Sequence, residues 1–513
     1  MNGIDTEEKL TELTDFSGGL NIKAANDLIA DNQATVRVNC HTDETGAIVK
    51  RGGRDYLYVT GGVGVEIVAS KGIYGLYRAY EKDGTKHFWA VCNLKIYEWG
   101  GVNFGTGVTG GVVSASKRAD FATLNNIPVM CNGTEAPLQY VVASDQFSAV
   151  TGSPPTMKYN DTSRNRMYMY GHATANRCNL YYSGLGDPND WDTTNNFVGV
   201  NPDDGDFLTG TGTVQGLFVV FKNNSVRILG NSGDPSGWEL GDVRSNHGCT
   251  ARHTICNATI KGIDVLIYLS GDGVYAYDGS KAISLTSSDI DPIFSSTTYT
   301  YRLSKGYADT SCAVVHNGKY YLSYPYGSAL LPNRMIVFDL NNGGWAFYDY
   351  GVNCFSKWDE TRDTGQLYSG QTALGYVQRE EYGNDDFDAD ITMQYKTKYH
   401  SPFGKNVINQ FWRHYVRAEP TASTTLRTIL DTDFQAKQLT KDHYLAVSGA
   451  VWDTPNWDEF NWVGGTEMYN YDETLQQELN GRQIAIEFYN KSQVGLKIHY
   501  GGIISTSEYL KRG

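Results

Sequence analysis

Charge is scarce in this chain. Only 19% of its 513 residues are Asp, Glu, Lys or Arg, and the 43 basic against 57 acidic residues leave a formal net charge of −14. A protein that grips nucleic acid needs a basic stripe for the phosphates, and none is visible. Long apolar runs are missing as well. No window holds eighteen consecutive apolar residues, so no membrane-spanning helix is expected. The opening "MNGIDTEEKLTELTDF" is polar and acidic and has no apolar segment of the kind a secretory signal carries. Eight cysteines (Cys40, Cys92, Cys131, Cys178, Cys249, Cys256, Cys312 and Cys354) include no CxxC. They read as reduced thiols in a protein made in a cytoplasm, mostly buried as small hydrophobes. Enzyme signatures are lacking too, with no GxSxG elbow, no HExxH and no phosphate loop, so neither catalysis nor a cofactor is expected.

What the chain does have is glycine and tyrosine, 56 and 36 residues respectively. Aromatic and β-branched side chains suit a pleated, half-buried surface, so the composition predicts an all-β protein. A theme then recurs from Val65 to about Tyr382: a run of β-formers, a turn, a second run, then Gly or Asp beside an aromatic. Six instances are His87–Gly101, Ile127–Val142, Arg166–Gly184, Gly216–Asn231, Ile263–Ser280 and Lys319–Trp345, and Gly365–Glu380 is a weaker seventh. Each reads as a hairpin. Gly271-Asp272-Gly273 and Asn223-Asn224 are expected to supply the positive φ of a tight connection. A spacing of roughly thirty to fifty residues indicates a β-propeller of six to seven blades.

The motif Gly-Asp-Pro-x-x-Trp occurs twice, as Gly186, Asp187, Pro188, Trp191 and as Gly233, Asp234, Pro235, Trp238. Proline fixes φ and aspartate hydrogen-bonds the turn backbone, so the motif ends a strand sharply. The Trp that follows is expected to cover the apolar side of the next blade; an aromatic platform for a ligand is the alternative.

Residues 1–60 read as an N-terminal arm with the first strands, with one short helical turn possible in Leu28–Val38, and residues 61–382 as the propeller. "GNDDFDAD" (383–390) reads as an acidic linker. Alternating stretches such as "QFWRHYVRAEP" make residues 391–513 a separate β-sandwich or β-barrel.

Three clusters carry chemically suggestive residues. "HGCTARHTIC" places His247, Cys249, His253 and Cys256 within ten residues, and thiolate and imidazole are zinc ligands. Their spacing matches no standard zinc pattern, and in an extended chain Cys256 faces away from the other three; the competing reading is a strand between blades. "NPDDGDF" gathers Asp203, Asp204 and Asp206 but lacks the distant bidentate glutamate of a calcium loop. "VWDTPNWDEFNW" spaces Trp452, Trp457 and Trp462 beside Asp453, Asp458 and Glu459, as in a sugar-binding groove or a partner-facing hairpin.

The stretch "DFSGGLNIKAANDLIADNQATVRVNCHTDETGAIVKRGGRDY" resembles the opening of tail nozzle proteins of short-tailed bacteriophages, also called hub or packaged-DNA stabilisation proteins. Their pattern is matched by Phe16, Gly18, Gly19, Gln33, Ala34, Asn39, Asp43, Gly46, Lys50, Arg51 and Gly53. "GCTARHTICNATIKGIDVLIYLSGDGVYAYDG" is similar to a blade of that family, and "IEFYNKSQVGLKIHYGGIISTSE" to its terminal strands. The resemblance implies a virion protein that forms a homo-oligomeric ring, six copies in the family, below the portal and adaptor. Such a ring extends the DNA channel, retains the genome without specific binding, and anchors tail fibres or a needle. A hub or fibre-attachment protein of a long-tailed phage, or a propeller that binds or cleaves host-surface sugar, are the other readings.

Overall fold

The computed structural model describes residues 8–172, 175–358, 365–433, 438–446 and 468–508. Among them the regular secondary structure is almost wholly strand, with one short α-helix, Pro292–Ser295, and a few 3-10 turns. It divides into two compact units: residues 1–55, 342–349 and 381–513 form one, and residues 56–341 with 350–380 form the other.

The second unit is a β-propeller of seven small antiparallel sheets, within the expected range of six to seven. In chain order their first strands are Ile73–Tyr80, Asp120–Leu124, Tyr159–Ser163, Leu208–Val214, Cys256–Ile260, Cys312–His316 and Cys354–Trp358. Each first strand neighbours the next, and the seventh returns to the first, which closes the ring. We number the blades one to seven in this order. Each hairpin read from the sequence falls on the second and third strands of one blade, including Gln366–Gly370 with Val377–Glu380 for the weak seventh.

The turn chemistry sits elsewhere than expected. Neither Gly271-Asp272-Gly273 nor Asn223-Asn224 contains a residue with positive φ. The left-handed residues lie instead between first and second strands: Asn125-Asn126, Arg164-Asn165, Gln215-Gly216, Lys261-Gly262 and Asn317-Gly318 each carry two in succession. Two consecutive positive φ values define the type I′ turn, whose twist matches that of the flanking strands. Blades two to six thus share one connection, occupied mostly by Asn and Gly because these tolerate the left-handed region.

Apolar side chains fill the wedges between adjacent blades. Between blades one and two Trp89, fully buried, packs edge-on to Phe147 at 5.0 Å and beside Tyr140 at 4.8 Å. A single blade cannot bury both faces, so this interleaving supplies most of the cohesion.

The first unit is a β-sandwich. One sheet contains the strands Ile408–Pro420, Leu496–Glu508 and Glu8–Leu13; the other contains Gln33–Val38, Ile391–Thr397, Ile484–Ser492 and Thr424–Thr432. Their facing side chains, among them Phe16, Tyr395, Phe411, Leu430 and Phe488, form one core. This corrects the expected boundaries at three points. The expected arm of residues 1–60 is not independent, because Glu8–Leu13 pairs with Leu496–Glu508 and Gln33–Val38 pairs with Ile391–Thr397. Leu28–Val38 contains no helix; it leads into the strand Gln33–Val38. Residues 383–390 are not a free linker, because Asp386 is bridged to Arg54 and Ala389 and held by two arginines.

Candidate functional site: the polar cluster on the propeller axis

The starts of the first strands converge at one end of the propeller axis, and the residues just before them project into it. The turn Arg252–Thr254 precedes blade five. Thr254 pins it, its hydroxyl donating to the Ala251 carbonyl at 2.7 Å and accepting from Leu269 N–H at 3.0 Å. That conformation directs Arg252 and His253 inward. Arg118 enters from the segment before blade two, and Asn353 from the segment before blade seven.

Two guanidiniums span the ring. Arg118 donates through Nη1 to the Ser311 carbonyl at 3.0 Å and through Nη2 to Asn353 Oδ1 at 3.0 Å, linking blade two to blades six and seven. Arg252 reaches the other way. Its Nε lies 3.6 Å from Asp120 Oδ2 in blade two and its Nη2 3.5 Å from Asp161 Oδ2 in blade three. Its bonds to the Thr211 and Asn160 carbonyls are both long, at 3.4 Å. Asp120 accepts from Asn160 N–H at 3.0 Å, and Asp161 from the Thr211 hydroxyl at 2.7 Å. The axis is therefore crossed by side chains, and the propeller's own centre is not a conduit for a polymer.

A cavity of about 210 Å³ remains beside this cluster, lined by Arg118, Asp120, Arg252, His253, Asn353 and Tyr77 among others. Burial raises Asp120 to about 6, and neighbouring Asp161 adds to the rise, although Arg252 and Asn160 N–H act in the opposite sense. Burial, with Arg118 and Arg252 close by, pushes His253 well below its ordinary value, so its imidazole is neutral. Two buried nitrogens at the cluster, Arg252 Nε and His253 Nε2, have no hydrogen-bond partner among the described residues.

The structure does not bring together the four residues of "HGCTARHTIC". His247 is 44% exposed, 3.0 Å from Asp272 Oδ2, and stacked on Tyr275. Cys249 is buried and its thiol donates to the Ala251 carbonyl. His253 faces the axis, and Cys256 begins the first strand of blade five. Burial pushes the thiols of Cys249 and Cys256 up to about 12, which opposes metal ligation. Asp204 of "NPDDGDF" is taken by the ammonium of buried Lys222 and by Asn201, so a cation already of this chain occupies the carboxylate. The row Trp452, Trp457, Trp462 lies outside the described residues. Sequence reasoning passed over Arg118, Asp120 and Asp161; only Arg252, inside the Cys-His stretch, lay near a flagged motif.

Both Gly-Asp-Pro-x-x-Trp motifs are turns. Gly186 and Gly233 have φ of +74° and +76°, and Asp187 and Asp234 accept from the backbone two residues on. Trp191 is buried among Leu124, Val129 and Met167 of blades two and three, with its Nε1 donating to the Pro188 carbonyl at 2.7 Å. Trp238, half-buried in blade four, packs 4.7 Å from Tyr182 of blade three. The tryptophans thus seal against the preceding blade rather than the next one, because both sit between the third and fourth strands.

The N-terminal motif forms a lock inside the sandwich. Phe16 meets Tyr395 edge-on at 5.3 Å, Gly18 N–H donates to the Asn32 carbonyl, and Gly19 (φ +78°) lies against Gly344 and Trp345. Gln33 Oε1 accepts from Asn21 and Ala30, Ala34 is fully buried, and Gly46 (φ +83°) completes the turn capped by Asp43. Asn39 donates to the Thr392 carbonyl at 2.8 Å and accepts from Arg51 Nε at 3.0 Å. Buried Lys50 donates to Asn490, Ser492 and Val494; burial, then adjacent Arg51, lowers it to about 8. Gly53 lies against the Asp385 backbone, where a Cβ would collide.

The fold and this cluster define a β-propeller protein carrying an all-β sandwich. The chain matches no family model and no curated protein. Among solved structures it is similar to a chain titled "YCF48 bound to D1 peptide", at 12% identity and a TM-score of 0.35, over 62% of this chain and 94% of that one.

Proposed function

We propose that the protein is a structural subunit of a ring-shaped tail nozzle or hub in a short-tailed bacteriophage. In the particle it extends the portal–adaptor channel, helps retain the packaged genome and anchors fibres or a needle. The observation that carries this reading is the N-terminal lock. The residues that resemble the nozzle family are framework residues of the sandwich, some bonded to each other, as Arg51 is to Asn39, and others to neighbouring parts of the same unit, as Lys50 is to Asn490, so the likeness rests on a coherent structural unit rather than on scattered surface positions. The crossed axis of the propeller is consistent with it: DNA would pass through the hole of the ring, not through a subunit. Closed symmetry is the natural state for such an assembly. Electron microscopy of the purified protein mixed with portal and adaptor tests the proposal. A closed ring, sixfold in projection, is expected; monomers persisting beside assembled portal and adaptor overturn it.

One observation favours a second reading, a propeller that engages host-surface sugar. The axial cavity combines Tyr77 with hydrogen-bonding Asp120 and Asn353, as sugar sites do. Saturable binding of a host glycan, lost on filling the cavity, distinguishes this reading.

A further inference from the structure

The axial cluster contains a guanidinium without adequate partners. Among the described residues all of Arg252's hydrogen bonds and ion pairs are long, between 3.4 and 3.6 Å, and its buried Nε makes no hydrogen bond. A buried charged donor left unmade is costly, and natural sites correct this by repacking or by binding something. Here a cavity of about 210 Å³ adjoins Arg252, and Arg118 lines it from the opposite blades. Arg118 is bonded to carbonyl and amide oxygens but makes no ion pair among the described residues.

We infer that this cavity binds a small monocarboxylate, held by Arg252 and Arg118 on the propeller axis. Planar guanidinium forks match carboxylate geometry and favour it over a point contact. The charge count selects a monoanion. Asp120 and Asp161 already lie within 3.6 Å of Arg252, so even when Asp120 holds a proton the second charge of a dianion such as sulfate is opposed by Asp161, and a monocarboxylate carries no such second charge. Protonated Asp120 then becomes a donor toward the bound oxygen. Asp120 is faced by Arg252 and His253 from the turn before blade five, by Asp161, Tyr159 and Tyr170 from blade three, and by Tyr77 from blade one. With Asp120 raised to about 6, affinity falls as pH rises through that value. The cavity is small beside the usual range for drug-sized ligands, which limits the occupant to a few heavy atoms. None of this depends on whether the chain assembles into a ring.

The test uses the purified full chain and sodium acetate, with sodium chloride and sodium sulfate at matched ionic strength as comparisons. Ligand binding to the native state raises the melting temperature saturably. Acetate is expected to do so at pH 5.5 and at least tenfold more weakly at pH 7.5, with chloride inert and sulfate weaker than acetate at both. Arg252→Gln should weaken acetate at least tenfold. Asp120→Asn, which keeps the acceptor for Asn160 and copies the neutral acid, should bind acetate equally at the two pH values. No saturable shift in the native protein overturns the inference, as does undiminished binding by a folded Arg252→Gln or saturable sulfate binding tighter than acetate. If Arg252→Gln does not fold, the Asp120→Asn comparison decides, and a pH dependence unchanged from the parent protein overturns the inference.

Discussion

Arg51 and Asp386, 335 positions apart, meet as a two-pronged ion pair, with Nη1–Oδ1 at 2.9 Å and Nη2–Oδ2 at 2.5 Å. The Arg51 side chain is 1% exposed and that of Asp386 15%. Burial disfavours the Asp386 carboxylate, but hydrogen bonds from Arg51 and Arg54 hold it down at about 2. Removing one member of a buried pair strands the other charge, so Asp386→Asn should destabilise the sandwich by roughly 3–5 kcal/mol in denaturant melts. The pair's pH-linked contribution is fully present above the ordinary value of 3.8 and is lost as pH falls through about 2. Between those values the parent protein should lose stability that the variant has already lost. Equal slopes for the two proteins would contradict this.

The sealing tryptophans give a graded expectation. Trp191 is buried between two blades and Trp238 only half-buried. Trp191→Ala should cost about 3–5 kcal/mol, the usual loss for a buried Trp, and Trp238→Ala less. Thermal melts check the order; unchanged stability in both variants would return the motif to a ligand role.

His87 lies between two carboxylates, its Nδ1 2.5 Å from Glu98 and its Nε2 2.8 Å from Glu81. Burial pulls its pKa down, but Glu98 and Glu81 outweigh it and the net shift is upward from 6.5. A raised folded value means that the stabilisation is complete below 6.5 and fades as pH rises through the folded value. His87→Gln should therefore be less stable than the parent at pH 6, with the gap narrowing under alkaline conditions. A gap that widens with pH falsifies the ion-pair account.

The ring reading makes a prediction about DNA. Each Lys or Arg paired with a phosphate releases counterions and tightens binding, so a basic lumen would act as a brake. With 57 acidic against 43 basic residues, carboxylates should outnumber Lys and Arg on the ring's inner surface. The isolated protein should not retard duplex DNA in a gel at moderate salt. Tight binding that weakens steeply as salt rises would refute the prediction.

The seven hairpins were legible because the second strand of each blade is buried on both faces along most of its length, and in several blades it reads as a continuous apolar run, as in "FVVFK" and "VLIYL". The first strands were not. Segments such as "YNDTS" and "LTGTGTV" line the axis, where small and polar side chains must fit, and so they lack the apolar pattern that marks a strand. The type I′ turns were missed for a related reason. Gly and Asn are frequent throughout this chain, and only backbone torsions separate the positions that need positive φ from those that do not.

By itself the sequence determined the all-β class, the propeller repeat and the turn role of the two Gly-Asp-Pro-x-x-Trp motifs, since each follows from local chemistry: side-chain shape, period and proline geometry. Tertiary structure alone decided three things. It placed the N-terminal segment in the C-terminal sandwich through pairings such as Glu8–Leu13 with Leu496–Glu508, turned an apparent acidic linker into the anchor of Arg51, and gathered Arg118, Asp120, Asp161 and Arg252 on one axis. Those contacts join residues tens to hundreds of positions apart. No local pattern encodes them, because long-range pairing is set by how whole sheets bury their faces and closing a long loop costs little more entropy than closing a short one.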